Sequence, residues 1–200
     1  MARTSRDLDK KLLLVGEALI QEVGVSGLSM REVAKIAEVN LGMLSYYFKG
    51  KDEFVLKILS SLYSPFIHEL ESMKSLEHIN EEERFKSLLN KMSQFSFTHR
   101  RLIMVLMKDL LSGDPTFKNF METHFSKHFT LISDEIFTYL KWKKINPTHW
   151  PRLQRTILSS IGLSNVMLAY QEMHFNQRSN ESEQFDLQIQ GVLALIEKHK

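Results

Sequence analysis

The 200-residue sequence predicts an all-α protein with a three-helix N-terminal unit and a longer C-terminal helical part. Three observations carry that expectation. Apolar residues recur at helical spacing along the whole chain, and no alternating strand pattern interrupts them. Cap signals punctuate the pattern, with Asn40, Asn80 and Pro115 at helix starts and Gly24 at a helix end. From about Ser64 the helical patterns lengthen and become richer in Phe and Met, which marks a second part.

Helix one is expected from near Asp7 to Gly24, with Leu8, Leu12, Val15 and Leu19 as its inward stripe. Val25 to Leu28 form the connecting loop. Ser29 and Glu32 have the spacing of a capping box, so the hydroxyl and the carboxylate are expected to satisfy the first turn of helix two reciprocally. Val33, Ala34 and Ala37 give that helix a narrow inward face. Asn40 then caps a third helix, with Leu44 and Phe48 inward and Leu41, Met43, Ser45, Tyr46 and Tyr47 outward or flanking. Two helices this short bury little between them and need a third beneath. That is the geometry of helix-turn-helix DNA readers. Lys49-Gly50 breaks the chain, and helix four starts at Lys51 or Asp52 with Phe54, Ile58 and Leu62 on its inner face. Pro65 is expected to kink or break it.

The span from Lys11 to Phe54 resembles the DNA-binding region of TetR-type transcriptional regulators. The residues that carry the resemblance are helix one with its closing Gly24, the Ser29-led second helix, the run Val39-Asn40-x-Gly42-x-Leu44, the aromatic pair Tyr46-Tyr47, and Phe48 followed by Lys49-Gly50-Lys51-Asp52. Two positions depart from the family pattern. Glu38 stands where the turn usually has glycine, and a left-handed residue there costs ~1 kcal/mol more than glycine would. Ser45 stands where a phosphate-contacting tyrosine is common.

The resemblance implies a helix-turn-helix DNA-binding domain over residues 1–50 and a helical ligand-binding and dimerisation domain over 51–200. It implies a ligand-responsive transcriptional regulator, a repressor that binds a palindromic operator as a homodimer and is released by an apolar or amphipathic small molecule. Ser29, Arg31, Asn40, Leu41, Gly42, Met43, Ser45, Tyr46, Tyr47, Lys49 and Lys51 are the expected DNA-binding residues. Leu41, Met43 and Tyr46 are placed to reach groove edges, where apolar side chains favour thymine methyls. Tyr47, Lys49 and Lys51 read as phosphate contacts, with the start of helix four as an anion seat. Packing within the domain is the alternative for both tyrosines. The N-terminal cluster Arg3, Arg6, Lys10 and Lys11 reads as a solvated tail on composition and as a DNA arm by resemblance.

Composition narrows the remaining classes. Without cysteine there is no disulfide, thiolate nucleophile or zinc–thiolate site. A net charge of +2 says little about nucleic acid. No segment is long and apolar enough to span a membrane, and Glu17 interrupts the short apolar run Leu12–Val15, so a cytoplasmic protein without a signal peptide is expected.

In the C-terminal part, helices are expected from Asn80 to about residue 97, from about 98 to 111, and from Pro115 to about 144. Two more follow, over about 151–173 and 183–198, with a polar loop at 176–182 between them. Phe95, Met104, Met107, Phe125 and Phe129 are the candidates for lining a ligand cavity, against plain core. Leu153, Ile157, Ile161, Leu168, Phe185, Ile189, Val192 and Ile196 give the last two helices wide apolar faces. Those faces read as a four-helix interface between two subunits. His124 and His128 sit i, i+4 on one helix and are the candidates for a metal-dependent enzyme. The zincin glutamate between them is missing, and a structural or solvated pair is the favoured reading. No catalytic residue, metal site or cofactor is expected. A regulator controlled by a protein partner is the further alternative.

Overall fold

The computed structural model describes residues 2–74, 80–113, 115–176 and 180–199, without the side chains of 2–7, 74, 116, 127, 181 and 182. The Arg3 and Arg6 side chains, Asp114 and much of the 176–182 loop therefore lie outside the described residues. Among those described, every regular element is helical. In order they are α1 (Ala2–Gly27), α2 (Met30–Ile36), α3 (Leu41–Tyr47), α4 (Lys51–Lys74), α5 (Glu81–Thr98), α6 (Arg100–Ser112), α7 (Pro115–Phe120), α8 (Ser126–Trp142), α9 (Trp150–Phe175) and α10 (Glu181–Glu197). A π turn at Met121–Phe125 joins α7 to α8, and a 3-10 turn at Pro147–His149 precedes α9. The chain forms two compact units. The first comprises Met1–Pro65 and Val105–Thr123, and the second Phe66–Met104 and His124–Lys200.

The first unit is built on α1. Leu12, Leu19 and Ile20 are buried, while Leu8 and Val15 of the expected stripe are half-buried. Gly16 lets α4 approach closely, since a Cβ there would fall 2.5 Å from both Ile58 and Phe54 side-chain carbons. At Gly24 the helix path breaks (φ 82, ψ 175) before a last turn to Gly27. Phe48 meets Phe54 edge-on at 4.7 Å between ring centroids, which closes the base of α3 against α4.

The C-terminal part of α6 belongs to this unit through one buried acid. Asp109 is fully buried, and its carboxylate accepts from the Val25 N–H at 2.6 Å and from the Ser26 hydroxyl at 2.9 Å. Gly24 is required beside it for two reasons. Its positive φ suits only glycine without strain, and a Cβ would fall 2.8 and 2.9 Å from the two carboxylate oxygens.

The second unit packs α5 against α8, α9 and α10. Asn80 caps α5 by accepting from the Glu83 N–H at 2.9 Å, and three glutamates occupy the positive end of that helix. Phe85 stacks on Tyr139 at 3.9 Å, and Arg84 makes a bidentate pair with Glu135 at 2.8 Å. Lys143 pairs with both Glu82 and Glu197, and these carboxylates raise its pKa above the ordinary lysine range.

A buried polar chain crosses this core. The Asn165 amide donates to the Ser96 hydroxyl at 2.6 Å and to the Ile161 carbonyl at 3.1 Å, and its oxygen accepts from Gln188 at 3.4 Å. Removing the amide leaves buried partners desolvated. Asn165→Ala is therefore expected to cost about 2 kcal/mol, and to lower Tm by roughly 4–8 °C in a calorimetric or circular dichroism melt.

Two expectations need correction. The expected capping box is absent: Ser29 has the extended cap backbone (φ −113, ψ 122), but its hydroxyl makes no capping bond and the residue is exposed. Water competes well for a hydroxyl there, and the Ser29 carbonyl already receives the Val33 N–H at 3.0 Å. Of the kink or break expected at Pro65, the break does not occur. Helix α4 runs through it to Lys74, because proline removes one backbone donor and this one lies on the exposed side.

Candidate nucleic-acid interface

The α2–α3 corner is held by local bonds. At the end of α2 the Val39 N–H reaches the Ala34 carbonyl at 2.9 Å and the Glu38 N–H reaches Lys35 at 3.2 Å. This bond pair defines a Schellman end with Glu38 in the left-handed position at φ 57. The strain expected at Glu38 is thus present. Glu38→Gly should stabilise by roughly 0.5 kcal/mol in a denaturant melt, since relief of the left-handed strain is partly offset by glycine's looser unfolded chain.

Asn40 caps α3 as expected, its side-chain oxygen accepting from the Met43 N–H at 2.6 Å. Gly42 gives that cap room, because a Cβ would stand 3.3 Å from the Asn40 oxygen. Leu44 and Phe48 turn inward and are buried. The opposite face of α3 carries Leu41, Met43, Ser45 and Tyr46, all exposed, and Tyr46 at 86% is more open than Leu41 or Met43. Tyr46 and Tyr47 meet edge-on at 5.6 Å, and Tyr47 is half-buried. The Ser45 hydroxyl bonds back to the Leu41 carbonyl at 3.0 Å. Ser29 and Arg31 are exposed at the start of α2.

At the start of α4 the anion seat is partly filled by the protein itself. The Glu53 carboxylate accepts from the Lys49 N–H at 3.2 Å, so that donor is occupied. The cationic groups at this point are the ammonium groups of Lys49 and Lys51. The Lys51 ammonium donates to the Ser26 carbonyl at 3.1 Å. An ammonium has three donors. Sequence reasoning passed over the partner residues Ser26 and Asp109. A signal for Asp109 did exist: it follows Leu102 and Leu106 at i+7 and i+3, on the apolar face of α6.

Residues 12–58 match the N-terminal DNA-binding domain of the bacterial regulatory proteins, tetR family. Those residues thus carry a DNA-binding domain of the tetR type. A curated relative, the probable HTH-type transcriptional regulator YttP of Bacillus subtilis, is 29% identical over 129 residues. That alignment spans 62% of this chain and 62% of YttP, less than two thirds of the relative's length. Two solved structures share the fold over nearly the whole chain. A Clostridium perfringens regulator named for fatty acid metabolism superposes with a TM-score of 0.77 at 18% identity, covering 92% of this chain and 97% of that one. FadR of Bacillus subtilis, solved in complex with stearoyl-CoA, superposes with a TM-score of 0.71 at 14% identity, covering 92% and 96%. The N-terminal residues are thus similar to a tetR-type helix-turn-helix domain, in the span where the resemblance lay.

The other candidate residues fall differently. Leu153, Ile157, Ile161, Leu168, Ile189, Val192 and Ile196, expected at a subunit interface, are buried within the chain itself. Phe185, the eighth, stands edge-on to Phe97 of α5 at 5.5 Å. A side chain spent on its own core is not offered to a partner, so the interface assignment is corrected for those seven residues, while Phe185 is half-buried and keeps part of its ring open. The large apolar side chains left exposed on α9 are Leu163, Met167, Tyr170, Met173 and Phe175, with Leu187 on α10.

Of the ligand-cavity candidates, Phe95, Met104, Phe125 and Phe129 belong to the second unit and Met107 to the first. Phe95 stacks on Phe66 at 4.6 Å, and Phe125 faces Phe129 at 6.2 Å. An open cleft of about 890 Å³ lies elsewhere in the second unit, lined by Lys141, Lys144, His149, Trp150 and His199 among others. None of the five candidates lines it. His124 lies in the π turn and His128 in the first turn of α8. Among the described residues, no three His, Cys, Asp or Glu side chains are grouped to hold a metal ion, and no helix is long and apolar enough to cross a membrane.

Proposed function

We propose that this protein is a regulator of the tetR type, a homodimeric repressor that binds a palindromic operator and is released by an apolar or amphipathic small molecule. The observation that carries the DNA half is the outward face of α3, where Leu41, Met43 and Tyr46 stand exposed on a helix whose other face is buried. Lys49 and Lys51 flank it as phosphate contacts. The division of labour follows: residues 1–50 read DNA, and residues 51–200 sense the ligand and dimerise. Dimerisation uses the exposed apolar stripe of α9 with Leu187 of α10, a self-complementary patch of the kind a two-fold axis requires. In vitro selection from random duplexes tests the reading. Enrichment of inverted repeats, with half-sites one helical turn or a multiple apart, is the expected result. Enrichment of single, unpaired half-sites would overturn the dimeric part, and no enrichment at all the operator part.

Long-chain acyl thioesters are the first ligands to try, because FadR of Bacillus subtilis was solved with one. Helix α4, like α6, contributes residues to both units, and it is the continuous element leading from Lys51 through which a ligand would bias the DNA reader. A ligand at about 100 times its Kd should stabilise the protein by about 2.7 kcal/mol in a thermal-shift assay. Operator and ligand should then weaken each other by one common factor, typically corresponding to about 1–3 kcal/mol. Simultaneous binding with no mutual effect would remove the ligand-release mechanism.

A further inference from the structure

We propose that Asp109 is a positioning residue for DNA binding, acting on Lys51 through the loop that closes α1. The inference rests on the reading of Lys51 as a phosphate contact and goes beyond it, because it recruits a residue of α6 to the DNA-binding machinery. Three contacts make a chain. The buried Asp109 carboxylate grips the loop at the Val25 N–H and the Ser26 hydroxyl, at 2.6 and 2.9 Å. The carbonyl of the same Ser26 receives the Lys51 ammonium at 3.1 Å. Gly24 supplies both the left-handed backbone and the open space that admit the carboxylate.

The chemistry explains why an acid stands there. A fully buried carboxylate is costly unless its oxygens are hydrogen-bonded. Both of its bonds go to the loop, so loop and acid hold each other in one arrangement. Lys51 is otherwise a flexible four-carbon stem with a point charge at its end. Anchoring one of its three donors to a fixed carbonyl leaves the remaining donors directed in a defined way from the first turn of α4, beside the exposed face of α3. A free lysine would have to lose that side-chain freedom on meeting a phosphate, whereas an anchored one has lost much of it already.

A double-mutant cycle on a short labelled duplex of mixed sequence tests this, because a phosphate contact acts on every sequence alike. Binding is followed by fluorescence anisotropy across a range of KCl concentrations. Lys51→Ala should weaken binding and make the salt slope shallower by about 0.9 for each phosphate that the lysine had neutralised. Asp109→Ala should weaken binding roughly three- to tenfold with Lys51 present and leave affinity unchanged once Lys51 is alanine. Asp109→Asn should restore near-parental affinity, since the amide oxygen can accept from Val25 and its NH₂ can donate to the Ser26 oxygen. If Asp109→Ala does not give a parental circular dichroism spectrum, Ser26→Ala takes its place in the cycle, removing one carboxylate partner at an exposed position. Losses that multiply independently of Lys51 would make Asp109 a fold staple only and overturn the proposal. Should Lys51→Ala itself leave affinity and salt slope unchanged, the phosphate reading of Lys51 falls, and the proposal with it.

Discussion

Ile161→Asp should unfold the protomer, whereas Met167→Asp should leave it folded and make it monomeric. Both residues are apolar and lie on α9, six positions apart, yet they face different surroundings. Ile161 is 1% exposed and packed in the core of the second unit, while Met167 is 55% exposed in the single chain. An aspartate at Ile161 loses the isoleucine packing, about 2–5 kcal/mol, and adds the cost of a buried unpaired carboxylate. Those terms together rival the whole stability of a domain, about 5–15 kcal/mol. At Met167 the same substitution sits in water in the monomer and should change protomer stability by less than about 0.5 kcal/mol. In a two-fold interface it appears twice and faces apolar partners, so a cost of several kcal/mol is expected on association. Circular dichroism melts paired with analytical ultracentrifugation separate the outcomes. A Met167→Asp protein that stays dimeric at micromolar concentration places the interface elsewhere. An Ile161→Asp protein with parental Tm removes that residue from the core.

The contrast between those two residues also shows where sequence reading stops. Features set by neighbours in the chain were legible. Asn40 and Asn80 cap the helices they precede, Gly24 carries the expected positive φ, and Glu38 takes the left-handed position its place in the turn requires. The inward stripe of α1 and the paired faces of α2 and α3 follow from helical periodicity alone. Periodicity reports the width of an apolar face and is silent about whose atoms cover it. On α9, Leu153, Ile157, Ile161 and Leu168 are covered by the same chain, and Leu163, Met167 and Tyr170 on the other side are exposed. The pairing of Asp109 was illegible for a different reason, although its place on the apolar face of α6 was not. Its partners Val25 and Ser26 lie 84 and 83 positions away, and no local rule connects an acid in one helix to a loop that distant. The π turn at Met121–Phe125 likewise interrupts what reads in sequence as one continuous helix. Ligand-lining residues are least legible of all, because a cavity is defined by atoms that are missing and not by a pattern of those present.

Tyr46→Ala is expected to lower operator selectivity sharply while leaving the fold intact. The ring is 86% exposed and its described aromatic contact is with Tyr47, so its removal uncovers little core and should change stability by less than about 0.5 kcal/mol. On DNA the same ring is the largest side chain on the outward face of α3, placed to meet base edges in the major groove. A good base contact is worth about 1–3 kcal/mol of discrimination. A dimer makes the contact once in each half-site, which doubles that figure to about 2–6 kcal/mol, a loss of roughly thirtyfold or more against the selected operator. Duplexes of unrelated sequence should lose far less, since their binding depends on phosphate contacts such as those of Lys49 and Lys51. The pattern is thus the inverse of the one expected for Lys51→Ala, which weakens all duplexes alike. Parallel titrations of the selected operator and a scrambled duplex, at one salt concentration, distinguish the two. An equal loss on both duplexes would reassign Tyr46 to the phosphate contacts, and no loss on either would place the reading surface on other residues of the corner.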